Sequence, residues 1–484
     1  MSAPFAPLTA LRNLFRPVQK RQLEAATAGR RWQSIGGDAR SSIHGGAATV
    51  SARAQHYALN NPHGANIAQK LPDNLIGHGI KPIAQVEDEA IRRGLHRAFL
   101  AWTDRADATG LADFYGMQKQ AVQDMVVLGE ALFVWIFAPD GAPQLQRLHP
   151  EQLDRSFTKE ISEARYAVQG VEFDRATGAR VAYHVRPGAG FGHGGFSAGH
   201  YAGTLPPVRF EARAVIHMFR ALVPGQVRGL SWLAPILLTA HELDQLADAL
   251  LVRAKVAALH AGFIYDNDGT GAGYSGTAQG DTLEVSLEPG TMSVMPPGKR
   301  VEFSEPPDSG DAPALAVHNL RAIAVGVGLT YEQLTGDYSQ VNYSSQRAAM
   351  LEFRRFCEAV QHHTIVFQFC RPVWDAFMRW QVMLGTVSAR DYLDPASGLQ
   401  TAKWLPPSWS WVDPKKDAEA AILEMDANLR SRADIIAERG YDVEEIDRQI
   451  AADTARAERL NIARKPGAPA PEAPNTDEGE ADAA

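Results

Sequence analysis

Residues 231–261 read SWLAPILLTAHELDQLADALLVRAKVAALHA, and the reading of this stretch decides the fold. Ser231 is placed to cap a helix, and Pro235 falls in the first turn, where its missing N–H costs nothing. Leu233, Ile236, Leu237, Leu243, Leu246, Leu250, Leu251 and Val256 cover much of the circumference rather than one stripe. The spacing predicts one long helix over 231–262, and a helix so apolar has to be covered by other elements or by other subunits.

Upstream, the pattern changes from Val86. Ala90, Leu95, Phe99 and Trp102 fall near helical spacing, and LADFYGMQKQAVQDMVVLGE (111–130) predicts a second helix. ALFVWIFAP (131–139) is then a short apolar strand ended by the turn PDGAP, and RYAVQGVEFDRATGARVAYHVRP (165–187) alternates around the turn signal DRATG, as a hairpin does. An α+β module is expected over 51–230. The segment 1–50 ends in Gly, Ser and Ala and is expected to be a flexible arm. Gly190, Gly192 and Gly195 match the dinucleotide fingerprint only formally, because FSAGHYAGTLPP follows instead of a helix N-terminus. This stretch reads as a surface loop, with His193 and His200 solvated.

Downstream come a Gly-rich loop (266–281), a strand-like run (283–307) and a helix around ALAVHNLRAIAVGV (314–327). Thr330 and Gln333 have the spacing of a capping box, which predicts a short helix, YEQLTG. The stretch GDYSQVNYSSQRAAMLEF (336–353) that follows is polar before it turns into a helix. Without apolar residues it holds no core, so it is a plain connector or a working surface. Phe353, Phe356, Val360, Phe367, Cys370, Trp374 and Phe377 form one stripe on a helix from about 344 to 384, with His363 at the vacant position as a packed, hydrogen-bonded histidine. Pro372 is expected to kink that helix. Trp409 and Trp411 read as packing residues or, less simply, as a base-stacking platform. Asp413–Pro414, Ser431 with Asp434, Asp442 with Glu445, and Gly440 mark three short helices over 414–462.

The chain has 484 residues, of which 45% are hydrophobic, and a formal net charge of -8, which disfavours tight wrapping of nucleic acid. Cys357 and Cys370 read as two buried thiols in a reducing compartment. No run is apolar enough to span a membrane, the basic N-terminus lacks the apolar core of a signal peptide, and the protein reads as cytosolic. The end, RKPGAPAPEAPNTDEGEADAA (464–484), cannot bury enough apolar surface to fold. No phosphate loop, nucleophile elbow, H-E-x-x-H helix or C-x-x-C pair is present; Gly298 and Lys299 lack the remaining parts of a phosphate loop. The sequence therefore supports no catalytic residue, no cofactor and no metal, although scattered polar residues could still converge on an unrecognised fold.

The order of these elements resembles the portal proteins of tailed bacteriophages, of the lambda type. The likeness covers about 51–462. It is carried by ARAQHYALNNPHGANIAQKLPDNLIGHGI (52–80), MQKQAVQDMVVLGEALFVW (117–135) and the stretch VIHMFRALVPGQVRGLSW (215–232) with the apolar helix behind it. DYSQVNYSSQRAAMLEFRRF (337–356) and the run from Trp411 to Asp453 complete it.

The resemblance implies a mainly helical α+β portal fold that assembles as a dodecameric ring with a central channel for double-stranded DNA at one capsid vertex. Residues 51–230 would be the wing, 231–262 the stem helix, 263–310 the clip, 311–330 the returning stem helix and 331–346 the tunnel-loop region. A long kinked wing helix with its connector would fill 347–411, and 412–462 would be a helical crown. The tail 463–484 and the arm receive no role. Ser339, Gln340, Asn342, Tyr343, Ser344, Ser345 and Arg347 would line the channel, and Leu243, Leu246 and Leu250 would meet neighbouring subunits. Implied partners are further copies of the chain, DNA in weak sequence-independent contact, the large terminase, major capsid and scaffolding proteins and the head–tail connector, with no membrane. The implied location is the virion, with host cytoplasm during assembly. A cellular or capsid-associated scaffold remains the alternative, and an enzyme the more remote one.

Overall fold

The computed structural model describes residues 39–186, 206–258, 262–264, 277–279, 282–284, 292–294, 312–409, 414–460 and 462. They form two compact units: one holds the described residues up to Ile80 and from Ala84 to Ala402, the other Lys81–Ile83 and those from Lys403 onward. Both are built of helices and short sheets, an α+β architecture dominated by helix.

The first unit opens on α1 (Ala39–Asn60), so the segment expected as a flexible arm is helical from Ala39. Its small residues are what misled: Ser42, Gly46, Ala47, Ser51 and Ala54 are buried beside Ile43, Val50 and Tyr57, and their size brings the backbone close to its neighbours. Asn61 then caps α2 (Pro62–Ile76), with Pro62 at the first helical position. Ile67, Leu71, Leu75 and Ile76 of α2 are wholly buried. α3 (Glu89–Thr103) buries Leu95, Phe99 and Trp102 as their spacing predicts, while Ala90 lies exposed in its first turn. α4 (Phe114–Val127) leads into strand β2 (Glu130–Phe137).

β2 is the centre of a three-stranded antiparallel sheet, between β3 (Pro143–Leu148) and β9 (Val215–Phe219). A five-stranded meander follows β3 in the chain: β4 (Lys159–Ser162), β5 (Arg165–Val168), β6 (Val171–Asp174), β7 (Arg180–Val185) and β8 (Val208–Glu211). The predicted DRATG turn joins β6 to β7, held by Asp174 Oδ1, which accepts from Ala176 N and Thr177 N. Leu132, Val134 and Leu148 of the first sheet share a core with Val171, Tyr183 and Val185 of the second. The glycine-rich fingerprint and its two histidines lie outside the described residues.

The apolar helix is shorter than its sequence suggests. α5 runs from Leu237 to Ala258, not from Ser231. Ser231 Oγ and Trp232 N both donate to Val126 O, at 3.1 and 3.0 Å, and tie this segment to the end of α4. Ser231–Ile236 therefore forms successive turns with Trp232, Leu233 and Ile236 buried. Four three-residue strands are described between α5 and the next helix. β10 (Gly262–Ile264) pairs in parallel with β13 (Met292–Val294), and β11 (Thr277–Gln279) pairs antiparallel with β12 (Thr282–Glu284). α6 (Ala312–Val327) returns alongside α5.

After the short α7 (Tyr331–Thr335) come α8 (Tyr343–Val360), a π-helical segment (Gln361–Cys370) and α9 (Arg371–Met383). The π turns replace the simple kink expected at Pro372. Proline offers no N–H and crowds the carbonyl four residues back, and the widened turns end immediately before it, with Arg371 N bonded to Val366 O. Widening also breaks the 3.6-residue stripe. Phe353, Cys370, Trp374 and Phe377 are buried, but Phe367 is 60% exposed and His363 is exposed, not packed. Gln361, Ile365, Val366 and Phe369 take the inward positions instead. Gln368 lays its side-chain amide along the free edge of β9, accepting from Phe219 N at 3.0 Å and donating to Phe219 O at 3.1 Å. α10 (Ala389–Leu393) completes this unit.

The second unit contains all but the last residue of β1 (Lys81–Ala84) and all but the first of β14 (Ala402–Leu405), which pair, and helices α11 (Pro414–Asp426), α12 (Arg432–Glu438) and α13 (Val443–Arg459). The start and stop signals are confirmed for the last two. Ser431 accepts from Asp434 N, Asp442 accepts from Glu444 N, and Gly440 has φ 73°. Asp413 and Trp411 lie outside the described residues; Trp409 is half-buried.

Candidate channel loop and apolar helix

The polar stretch is a short loop between two locked helix ends. On the upstream side Thr330 accepts from Gln333 N at 3.2 Å while Gln333 Oε1 accepts from Thr330 N at 3.0 Å, the reciprocal cap its spacing predicts. Leu334 anchors α7 in the core at 2% exposure, and Gly336 (φ 73°) turns the chain out in the left-handed conformation that glycine adopts without strain. On the downstream side Asn342 Oδ1 accepts from Ser345 N at 2.9 Å and caps α8.

Ser339 and Gln340 sit at the exposed tip, while Asn342, Ser344 and Ser345, also exposed, form the cap and first turn of α8. The structure thus keeps these candidates together but divides them, with only the first two on free loop. Tyr343 begins α8, and Arg347 is half-buried one turn further on. A groove of about 180 Å³ lies under the loop, between Tyr338 and Val341 on one side and Gln346 and Met350 on the other.

Asp337 belongs to the site and was missed by sequence reasoning. Its carboxyl is held below the usual range by the hydroxyl and N–H of Ser339, which leaves an anionic group at the loop's base. The D-x-S turn pattern could have identified it. No residue of 336–346 is Lys or Arg.

Leu243, Leu246 and Leu250 of α5 are half-buried, and Leu251 and Val252 are 53% and 58% exposed. These apolar side chains of α5 are thus only partly covered by the described residues of one chain. Cys357 and Cys370 are buried, and burial pushes both thiols up, that of Cys357 to about 12, which disfavours the thiolate form. Among the described residues no cluster of His, Cys, Asp and Glu could hold a metal ion, and no helix is long and apolar enough to cross a membrane.

The site's partners in the fold include residues that carry no sequence signal. Asn66 Nδ2 donates to Gln333 O and Leu334 O, both at 2.8 Å, and Asn61 Nδ2 donates to Asp244 Oδ1 at 2.7 Å. Neither contact is local, so no spacing announces it.

Portal proteins of three phages are similar to this chain in sequence. The chain is 26% identical over 487 aligned positions to a probable portal protein of Halomonas phage phiHAP-1, covering 93% of this chain and 88% of the relative. It is 23% identical to the portal protein of Escherichia phage N15, over 82% of each chain. Portal protein B of Escherichia phage lambda is likewise 23% identical, over 86% of this chain and 85% of the relative. Among solved structures, the neck of an empty GTA particle aligns with 14% identity and a TM-score of 0.42, covering 80% of this chain and 92% of that one. The neck of a native GTA particle computed with C12 symmetry aligns with 16% identity and a TM-score of 0.39, covering 87% and 99%. The family described as "Phage portal protein, lambda family" matches residues 26–361, more than half of the sequence, and the chain belongs to that family.

Proposed function

We propose that twelve copies of this chain close into a ring at one vertex of a phage capsid and that double-stranded DNA passes through its centre during packaging and ejection. In this reading residues 51–230 form the wing, α5 and α6 the stem, 263–310 the clip, 331–346 the channel-loop region and 412–462 the crown. The large terminase supplies ATP hydrolysis, capsid and scaffolding proteins surround the ring, and a head–tail connector docks on it. Leu243, Leu246 and Leu250 face neighbouring copies.

The observation that carries the reading is the exposed loop without a cation. Each neutralised phosphate adds counterion-release affinity, so a conduit through which DNA slides has to avoid stacking Lys and Arg on it. Ser339 and Gln340 offer weak, exchangeable hydrogen bonds, and Asp337 adds mild repulsion. The same loop serves every helical setting of the DNA because nothing in it reads a base.

The test is to replace Tyr338–Val341 with glycines and leave Asn342 in place, since removing that cap would unwind the start of α8. Rings, checked by electron microscopy, are expected to form normally, while heads carrying the variant fill with DNA or retain it less than wild type. Normal filling and retention would make the loop an ordinary connector.

A further inference from the structure

Asn61, the cap of α2, bonds the apolar helix, and Asn66, five residues on, bonds the short helix that ends at the loop. Asn61 uses both halves of its amide: Oδ1 accepts from His63 N at 2.8 Å and Gly64 N at 3.1 Å, while Nδ2 donates to Asp244 Oδ1 on α5 at 2.7 Å. Asn66 uses both amide hydrogens on the Gln333 and Leu334 carbonyls, in the last turn of α7 before the loop leaves at Gly336. In a five-residue helix these carbonyls have no helical partner, so without Asn66 they would have to find water. Beyond the second tether α2 is anchored in the core. Ile67, Leu71 and Leu75 are wholly buried, and Gln361 Nε2 holds Leu75 O at 2.8 Å at the other end.

We propose that α2 is a strut that makes the loop follow the stem: Asp244 of α5 moves α2 through Asn61, and α2 moves the base of the loop through Asn66. Five residues separate the two asparagines, about 7.5 Å along the axis, so a shift at one is delivered to the other without bending a helix. Coupling of this kind needs an element that both sites engage directly, and α2 is engaged by both. The inference rests on the channel reading above for its purpose, but its mechanics stand on these contacts alone.

The test uses hydrogen exchange on assembled rings of the full chain. Asn61→Asp keeps the capping oxygen but sets two carboxylates against each other, which breaks the tether while preserving the helix start. The double variant Asn61→Asp with Asp244→Asn reverses donor and acceptor and restores both the bond and the net charge. Asn66→Ala removes the second tether. Exchange of amides 334–341 is expected to rise about fivefold in Asn61→Asp, as for loss of one hydrogen bond, and at least as much in Asn66→Ala, which loses two, with β2 unchanged. The swapped pair is expected to return it to the wild-type rate.

Wild-type loop exchange in Asn61→Asp, or in Asn66→Ala, overturns the proposal, and so does a swapped pair that fails to rescue. If Asn61→Asp does not assemble, Asp244→Ala removes the acceptor without adding charge and is read in the same way. The two readings fail separately: normal DNA filling with the glycine loop removes the channel role and leaves the exchange result standing, whereas unchanged exchange removes the strut alone.

Discussion

Glu130 and Arg228, 98 positions apart in sequence, form an ion pair with both side chains wholly buried. Arg228 Nε lies 2.9 and 3.0 Å from the two carboxylate oxygens, and Nη2 bonds Oε1 as well. The remaining N–H groups of Arg228 reach Leu153 O, Gln169 O and Pro150 O, while Glu130 also accepts from Gly229 N and from His217. Both charged members of the pair therefore have partners, which is the condition under which buried charge is tolerated, while His217 Nδ1 is buried without one. The pair fixes the segment leading to α5 against the central strand of the first sheet.

Removing one partner strands the other. Arg228→Met is expected to destabilise the chain by about 3–5 kcal/mol, measured as a shift in the denaturant midpoint at constant slope. Glu130→Met combined with Arg228→Met is expected to recover much of that loss, because no unpaired charge is left. A single variant as stable as wild type would mean that water reaches the cluster.

The same cluster sets a pH dependence. Burial pushes His217 down to about 4, against the opposing pull of Glu130, and its ring is neutral, donating from Nε2 at 2.9 Å. Burial alone would raise Glu130, but the Arg228 charge prevails and holds its carboxyl well below the usual range. A histidine neutral in the fold binds fewer protons than the unfolded chain between the two pKa values, so stability is full above its ordinary value and falls as pH drops from about 6.5 towards 4, by on the order of 3 kcal/mol at most. The Glu130 contribution is lost in the same direction, but only further into acid. Denaturant midpoints measured from pH 7 to 5 are expected to fall in wild type and to fall less in His217→Gln; equal slopes would remove His217 from the account.

Gly129 and Gly229 flank this pair and pass each other backbone to backbone. A Cβ on Gly229 would stand 2.0 Å from Gly129 O, and one on Gly129 would stand 2.5 Å from Leu230 C and Ser231 N. Backbone cannot yield as a flexible side chain can. Gly229→Ala is therefore expected to abolish soluble folded protein, whereas Gly178→Ala, with open space around it but φ 69°, is expected to lose only about 1 kcal/mol of stability. Comparison of thermal midpoints checks both.

Legibility followed the range of the interaction. Thr330 with Gln333, Ser431 with Asp434 and the DRATG turn are contacts within a few residues, and the sequence spells each of them. α1 was lost because Gly46 and Ala47 give the same composition in a buried helix as in a solvated arm. The outward turn of Phe367 and His363 was lost because the stripe assumes 3.6 residues per turn, which the π segment does not keep. Of the loop site, the exposed polar tip was readable. The Asn66 and Asn61 tethers reach 267 and 183 positions along the chain, so only the fold could reveal them.

Exposure separates folding from assembly in α5. Leu251 is 53% exposed in a single chain, so Leu251→Asp removes little internal packing and is expected to change the stability of one subunit by no more than about 0.5 kcal/mol. If neighbouring copies cover this face, the same substitution buries an unpaired carboxylate in every interface of the ring, a cost repeated around the closed circle. Leu246→Asp is expected to break the ring too, but Leu246 is half-buried within its own chain, and its loss would confound the two effects. Sedimentation velocity is therefore expected to show Leu251→Asp as folded subunits with a normal circular-dichroism spectrum and no ring. An intact ring would place this face towards solvent and move the subunit interface elsewhere on the chain.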